Sequence, residues 1–231
     1  DGSWAGPRPR VWKTGWPRRL PGIRSIFRRR PYETPNRQRP DELLFGGDMP
    51  DYDAQISQLK AQYPPLAAHP FSITEGAGPF YSEFFQPWES RNPSHGQPMI
   101  QIREKGRALS GSEQQNLLLG ETFHYLGARH PETGTPVDPA FRMLKETFMQ
   151  QLTRGQTQHD RQQYMELVRT GHVGVPFEQW MDTSQADAYL RGYLAPINEG
   201  ERKDWARTYT PEQRRILDVM RTYLTTGVLQ P

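Results

Sequence analysis

The sequence predicts a mainly α protein with a small β element and an extended N-terminal arm. Three observations lead to this prediction. Residues 1–40 hold seven prolines, which break any helix longer than a turn or two. Two short stretches between residues 80 and 103 have strand-like composition. After residue 110, apolar residues recur at helical spacing between helix caps. We therefore predict an arm (1–40), a proline- and aromatic-rich connector (41–98) and a helical body (99–231).

The composition limits the classes of protein that the chain can belong to. Only 34% of its 231 residues are hydrophobic and its mean hydropathy is −0.87, so we expect part of the chain to be extended and ordered only against a partner. It has no cysteine, which excludes a disulfide framework and a thiolate metal site or nucleophile. No apolar run of about 18 residues occurs, so we expect no membrane span.

Charge is distributed unevenly between the arm and the rest of the chain. Residues 1–40 carry eleven basic and two acidic side chains, a net charge of +9, whereas the other 191 residues carry 18 basic and 24 acidic ones, a net charge of −6. A basic arm on a mildly acidic body indicates that the arm contacts nucleic acid or an acidic partner.

Aromatic residues alternate with arginines in the arm. Tryptophan supplies a large contact area, and arginine supplies a forked donor for phosphate or carboxylate. The arm is therefore expected to lie extended on a neighbouring protein or on nucleic acid; a disordered tail is the alternative. The predicted partner-binding residues are Trp4, Arg8, Arg10, Trp12, Trp16, Arg18, Arg19, Arg24, Arg28, Arg29 and Arg30.

The connector contains one predicted helix and one predicted edge strand. Ile56, Leu59 and Tyr63 lie at helical spacing, and the two prolines that follow end this helix. Residues 80–85 are predicted to form an edge strand. Residues 99–103, which open the body, alternate in polarity and predict a second strand.

The first helix of the body follows Ser110. Ser110 and Glu113 form a capping box, and the apolar residues that follow predict a helix packed into a core. Gly127 is predicted to end this helix at a C′ position with positive φ.

Further helices are predicted along the body. One runs from Pro139 to about residue 152 with Asp138 as its cap, and a weaker one covers 158–168. Residues 177–181 form a short turn, Ser184 caps a helix that ends before Pro196, and 197–209 form a charged loop. The last helix begins at Thr210 and ends at Gly227.

The predicted helix after Ser110 carries the pattern G-E-x-x-H-x-x-G-x-x-H over residues 120–130. Residues at i and i+4 on a helix share a face, so two such side chains can reach one metal ion, and a glutamate between them can act as general base toward a metal-bound water. The pattern resembles the metzincin signature H-E-x-x-H-x-x-G-x-x-H at four of its five fixed positions.

The metzincin resemblance implies a zincin-like core over residues 78–131. It would make Glu121 the general base, and His124 and His130 zinc ligands. Gly120 stands where the signature has its first histidine, and glycine cannot bind a metal. A catalytic zinc normally has three protein ligands. Either another residue supplies the third (His95, His159, His172 or Asp138), or no catalytic zinc binds and the motif belongs to a pseudoenzyme. Alternatively the match is coincidental, the helix is an ordinary capped core helix, and His130 is a loop residue.

Three other segments resemble proteins of tailed-bacteriophage virions. They are the aromatic stretch at residues 80–90, the turn at 177–180 and the segment at 189–194. This resemblance implies a virion-associated protein of the head interior, neck or ejection apparatus, located in the virion or the host cytoplasm.

Together these features predict a structural or assembly protein of a large complex, without a cofactor. Its expected partners are neighbouring proteins and, through residues 1–40, packaged DNA or another nucleic acid. Two alternatives remain open: a zinc metalloendopeptidase with an altered ligand set, and a nucleic-acid-binding protein.

Overall fold

A computed structural model describes residues 51–78, 80–90, 92–94 and 96–229. The predicted arm (1–40), with all of its proposed partner-binding residues, lies outside them, as does His95. Within the described residues, the predicted class, mainly α with a small β element, is confirmed. No helix in this part of the chain is both long enough and apolar enough to cross a membrane.

Ten α-helices and three strands form the described part of the chain. In order, they are α1 (Tyr52–Gln62), α2 (Pro64–Ala67), β1 (Ser72–Gly76), β2 (Ser82–Phe85), β3 (Met99–Arg103), α3 (Glu104–Arg107), α4 (Gly111–Leu126), α5 (Pro139–Gln150), α6 (Arg154–Arg169), α7 (Phe177–Trp180), α8 (Ala186–Leu194), α9 (Glu199–Ala206) and α10 (Pro211–Thr226). A π-helical turn, Met181–Gln185, joins α7 to α8.

The sheet is mixed, with β3 at its centre. Strand β1 runs parallel to β3 with Ser72 opposite Met99, and β2 runs antiparallel to it with Phe85 opposite Met99. Both predicted strands are confirmed. Strand β3 has the predicted bounds, and β2 lies at an edge of the sheet as predicted but begins at Ser82 rather than at residue 80. Strand β1 was not predicted, because Ile73 is its single large apolar residue.

The predicted capping residues begin and end several helices as expected. Ser110 and Glu113 form the capping box of α4. Asp138 accepts a hydrogen bond from the Phe141 N–H at the start of α5, and Thr210 and Gln213 form a capping box at the start of α10. Gly227 ends α10 in the left-handed conformation, with φ of 72°.

The prediction of a left-handed Gly127 is wrong. Its φ is −80°, a value open to any residue. A Cβ at this position would lie 2.9 Å from Cδ and 3.0 Å from Nζ of Lys145. Glycine is therefore needed here because a lysine side chain passes close to the backbone.

Three further details of the helices differ from the prediction: the start of one helix, one cap, and one additional helix. Helix α6 begins at Arg154, behind a capping box formed by Thr153. Ser184 is not a cap, because it lies inside the π-helical turn. The predicted loop at 197–209 contains α9, whose formation buries Trp205 in the core. Single apolar residues such as Trp205 show no periodicity, so the sequence pattern does not reveal such a helix.

Helix α4 runs through the middle of the hydrophobic core. Leu118, Phe123 and Leu126 are fully buried, and α4 packs against α8 and β2. Each large apolar side chain buried in this way contributes about 1.5–3 kcal/mol. The C-terminal half of α4, which carries Glu121 and His124, is therefore in contact with other elements of the body.

Candidate functional site

The last turn of α4 meets α5 and α8 through three charged side chains. Nδ1 of His124 lies 2.9 Å from Oδ2 of Asp187 on α8. Nζ of Lys145, on α5, donates to Oδ1 of the same carboxylate at 2.7 Å. Asp187 therefore joins three helices through its two oxygens, and we call these three residues the ion-pair cluster.

Two of the three side chains of the cluster are deeply buried. The side chains of Lys145 and Asp187 are each 2% exposed, whereas that of His124 is 34% exposed. Moving two charges out of water costs several kcal/mol per ion, a cost that is offset only by close pairing with good hydrogen-bond geometry. The short contacts made by both oxygens of Asp187 meet that condition.

The pKa values in the cluster change in the directions expected for paired charges. Burial acts to raise the pKa of Asp187, but the Lys145 and His124 charges outweigh burial and hold it below the usual value. Burial acts to lower the pKa of His124, but the charge and hydrogen bond of Asp187, aided by the charge of Glu121, raise it. Both changes favour the charged forms, so the cluster is an ionic contact between helices.

A second ionic network adjoins the cluster on α5. Nη1 of Arg142 donates to both carboxylate oxygens of Asp182, at 2.8 and 2.9 Å, and to the Gly127 carbonyl oxygen at 2.8 Å. Asp182 belongs to the π-helical turn. Arg142 therefore ties the end of α4 to the segment that leads into α8.

Glu121, the predicted general base, is held by a hydroxyl from the sheet. The residue is 7% exposed, and its Oε1 accepts a hydrogen bond of 2.6 Å from the Ser82 hydroxyl on β2. A general base must reach a proton on water or on a substrate. The structure instead gives the Glu121 carboxylate a structural partner.

Gly120 packs against α8. A Cβ on Gly120 would lie 2.6 Å from Cγ and 2.7 Å from Cδ of Arg191. An imidazole at this position would have to displace that side chain. The glycine is therefore explained by helix packing, and the position offers no open space for a ligand.

His124 and His130 contact different parts of the body. His124 belongs to the ion-pair cluster, whereas the His130 ring packs edge-on against Trp88, with ring centroids 5.3 Å apart. The Nδ1 atom of His130 is buried without a hydrogen-bond partner. The prediction that both histidines bind one metal ion depended on their spacing in the sequence, and the structure does not bring their rings together.

The substitute ligands considered from the sequence have other positions or partners. His159 and His172 are exposed on and after α6. Asp138 caps α5 and also accepts a hydrogen bond of 2.7 Å from the Tyr223 hydroxyl. Across the described residues, no group of three or more histidine, cysteine, aspartate or glutamate side chains is arranged to hold a metal ion. Zinc needs three such ligands at a catalytic site, so the residues described here do not fit the metal that the metzincin pattern implies.

The sequence pattern did not reveal a further buried carboxylate, Asp160, on α6. Asp160 is fully buried; it accepts hydrogen bonds from Nε2 of Gln185 at 2.9 Å and from the Tyr189 hydroxyl at 3.1 Å. Burial raises its pKa, although these hydrogen bonds and the nearby His159 act in the opposite direction. Asp160 is the single buried residue of a polar helix, so no apolar stripe marked its position.

Lys145 and Asp187 were missed as well, although one signal was present. Lys145 follows Phe141 by four residues and precedes Phe148 by three, so it lies within the apolar stripe of α5. A charged residue on a buried face requires a partner. The sequence could therefore have indicated a buried ion pair, but not that its partner would be Asp187.

Comparisons of the chain with protein-family models, with curated proteins and with solved structures found no match.

Proposed function

We propose that this chain is a structural or assembly protein of a large complex, with residues 1–40 as its anchoring arm. We further propose that the complex is a tailed-phage virion. The observation that carries the proposal is the contrast between an arm of net charge +9, rich in tryptophan and proline, and a remainder of net charge −6. Such an arm suits an acidic or nucleic-acid surface.

The contacts of the body support a structural role. The polar residues that could perform protease chemistry are committed to internal contacts: His124 to Asp187 and Glu121 to Ser82. Both contacts join α4 to neighbouring elements. They stabilise the packing of the body, which a component of an assembly requires.

The arm chemistry fits two kinds of partner. Tryptophan side chains can anchor in pockets of a neighbouring protein, where aromatic residues often dominate binding energy. Arginine forks can bind the phosphates of packaged DNA, and each phosphate contact releases counterions. We propose the neighbouring protein as the main partner and DNA as an additional one.

Sedimentation of the full-length chain tests the proposal. A tagged chain expressed in the cells that produce it should sediment with large particles. Replacing Arg28, Arg29 and Arg30 by glutamine should move it to the top of the gradient. The matched control replaces three exposed arginines of the body, at positions 202, 214 and 215, and should sediment like the wild type. Sedimentation of the arm variant with the particles would contradict the proposal.

Salt dependence separates the two kinds of partner. Binding of the full chain to a labelled DNA duplex is measured over a range of salt concentrations. Phosphate contacts would make log K fall with log salt with a slope of about −0.9 per phosphate neutralised. If replacing Trp4, Trp12 and Trp16 by alanine removes particle association but leaves this slope unchanged, the main partner is a protein. If the arginine substitutions flatten the slope and the tryptophan substitutions leave particle association intact, DNA is the main partner.

A further inference from the structure

An open pocket of about 600 Å³ lies beside the end of α4. Its walls come from four places: the segment before β1, the segment between β2 and β3, the last turn of α4, and the loop between α4 and α5. The described lining residues are His69, Pro87, Trp88, Gly96, Tyr125, His130, Thr133, Thr135, Pro136 and Val137. It is separate from the ion-pair cluster, since none of the cluster residues lines it.

Two aromatic rings of the pocket are held in place by their neighbours. The Tyr125 ring stacks on Phe84, with centroids 5.7 Å apart, and its edge meets His69 at 5.5 Å. Trp88 packs against His130. A ligand would therefore meet rings that are already ordered, which lowers the entropic cost of binding.

Both of these rings carry a hydrogen-bond donor with no partner among the described residues. Neither the indole N–H of Trp88 nor the hydroxyl of Tyr125 donates to another described residue, and neither is among the buried unpaired atoms. Both donors are therefore accessible to solvent. Two donors near apolar rings suit a ligand with exposed carbonyl oxygens and apolar surface.

The lining residues argue against several classes of ligand. The described ones include no Lys or Arg, which a phosphate would need, and no Asp or Glu, which a cation would need. They also include no Asn or Gln, whose amides make paired hydrogen bonds to polar ligands. The described lining residues offer aromatic rings, proline rings, imidazoles and hydroxyls.

We propose that this pocket binds an extended, proline-containing segment of a partner protein. A polyproline II strand makes no internal hydrogen bonds, so its carbonyl oxygens are free to accept from Trp88 and Tyr125. Its proline rings pack well in aromatic-lined grooves, and its preformed shape loses little entropy on binding. The pocket volume lies within the usual range of about 300–1,000 Å³ for ligand sites. The proposal concerns the body and does not depend on the arm.

Fluorescence anisotropy with labelled decaproline and the full-length chain tests this site. A labelled Gly-Ser decamer of equal length is the peptide control. Saturable binding of decaproline, at least tenfold tighter than the Gly-Ser decamer, is expected. Trp88→Ala should weaken binding at least about tenfold, as for anchoring aromatic residues at interfaces. Tyr125→Phe keeps the ring and removes its donor, and Trp88→Phe keeps a smaller aromatic ring without a donor; each should weaken binding severalfold.

Matched variants separate a binding defect from misfolding. Tyr81→Ala removes an exposed aromatic residue outside the pocket, and it should bind decaproline like the wild type. Circular dichroism and the Tm of each variant should match those of the wild type. Absence of saturable binding, equal binding of the Gly-Ser decamer, or unchanged binding by a folded Trp88→Ala variant would overturn the proposal. Because decaproline binding is measured without particles, its failure is distinguishable from failure of the arm in sedimentation.

Discussion

Two buried carboxylates, Asp187 on α8 and Asp160 on α6, have pKa values displaced in opposite directions. Asp187 pairs with Lys145 and His124, and its pKa is lowered despite burial. Among the described residues, Asp160 accepts hydrogen bonds from uncharged groups alone, those of Gln185 and Tyr189, and burial raises its pKa although the charge of His159 acts in the opposite direction. Burial is similar, since both residues are at most 2% exposed. The comparison shows that a cation within hydrogen-bond distance, rather than depth, decides which form the fold favours.

The two contacts therefore stabilise the fold in different ways. The contact of Asp187 with α4 and α5 is ionic. Removing one of the paired side chains leaves a buried charge without its partner and lowers the free energy of unfolding. The contact of Asp160 with the π-helical turn and α8 depends on neutral hydrogen bonds, and a neutral side chain of the same shape can replace the carboxylate. Three measurements follow from this difference, and a fourth tests the metal site that the sequence pattern suggested.

Replacing Lys145 by methionine should have the largest effect. The change keeps apolar volume but leaves Asp187 buried with a single partner. Loss of one member of a buried pair costs about 3–5 kcal/mol. Urea denaturation of the full chain measures the free energy of unfolding. The double variant Lys145→Met/Asp187→Leu removes the two buried charges and leaves His124, whose side chain is 34% exposed, so it should recover most of the loss. A loss below about 1 kcal/mol for the single variant would contradict the ionic interpretation.

The pH dependence of stability should have opposite signs at the two sites. The lowered pKa of Asp187 contributes stability above the unfolded value of about 3.9, and this contribution is lost as pH falls through the folded pKa. The raised pKa of Asp160 costs stability near neutral pH, and that cost disappears as pH falls through the folded pKa. A tenfold difference between the folded and unfolded acid dissociation constants corresponds to about 1.4 kcal/mol.

Two isosteric variants isolate these contributions. From neutral pH down to about pH 4, the stability of the wild type relative to Asp160→Asn should rise. Its stability relative to Asp187→Asn should also rise as pH falls through the His124 titration, because Asp187 raises the His124 pKa, and it should fall below about pH 4 as Asp187 takes up a proton. Chemical denaturation at several pH values gives both differences. Parallel curves for the two variants below about pH 4 would show that the two carboxylates do not differ.

Asp160→Asn at neutral pH should change stability by less than about 1 kcal/mol. The amide oxygen can still accept from Gln185 and Tyr189, and the cost of an unpaired buried charge is removed. Asp160→Leu, which leaves the Tyr189 hydroxyl buried without an acceptor, should cost about 1–3 kcal/mol. The Tm of the three proteins checks the order. An asparagine variant as unstable as the leucine variant would mean that Asp160 needs its charge.

Zinc content should show the smallest effect, because His124 and His130 contact different parts of the body. After dialysis against metal-free buffer, the full chain should hold well below one zinc ion per chain. The His124→Ala and His130→Ala variants should hold the same amount as the wild type. Elemental analysis measures this directly. About one zinc per chain, lost in either variant, would instead support the metallopeptidase alternative.

Short-range signals in the sequence predicted much of the fold. Ser110, Asp138 and Thr210 begin helices because a side-chain oxygen satisfies backbone N–H groups only a few residues away. Residues 197–209 were predicted as a loop. Helix α9 was missed because burial of Trp205 against distant residues stabilises it. Gly127 was assigned the wrong conformation because the close approach of Lys145, eighteen positions later, leaves no mark near the glycine.

The features of the candidate site also separate into those that follow from local sequence and those that depend on helix packing. The uneven charge of the chain, its division into a basic arm and an acidic remainder, and its caps and apolar stripes all follow from composition and from contacts within a few residues. The pairing of Asp187 with Lys145 and His124, the packing of Gly120 on Arg191 and the separate surroundings of His130 depend on how the helices pack. Because residues far apart in the sequence meet only after the core forms, tertiary structure alone decided whether the metzincin-like residues share a metal or stabilise the fold.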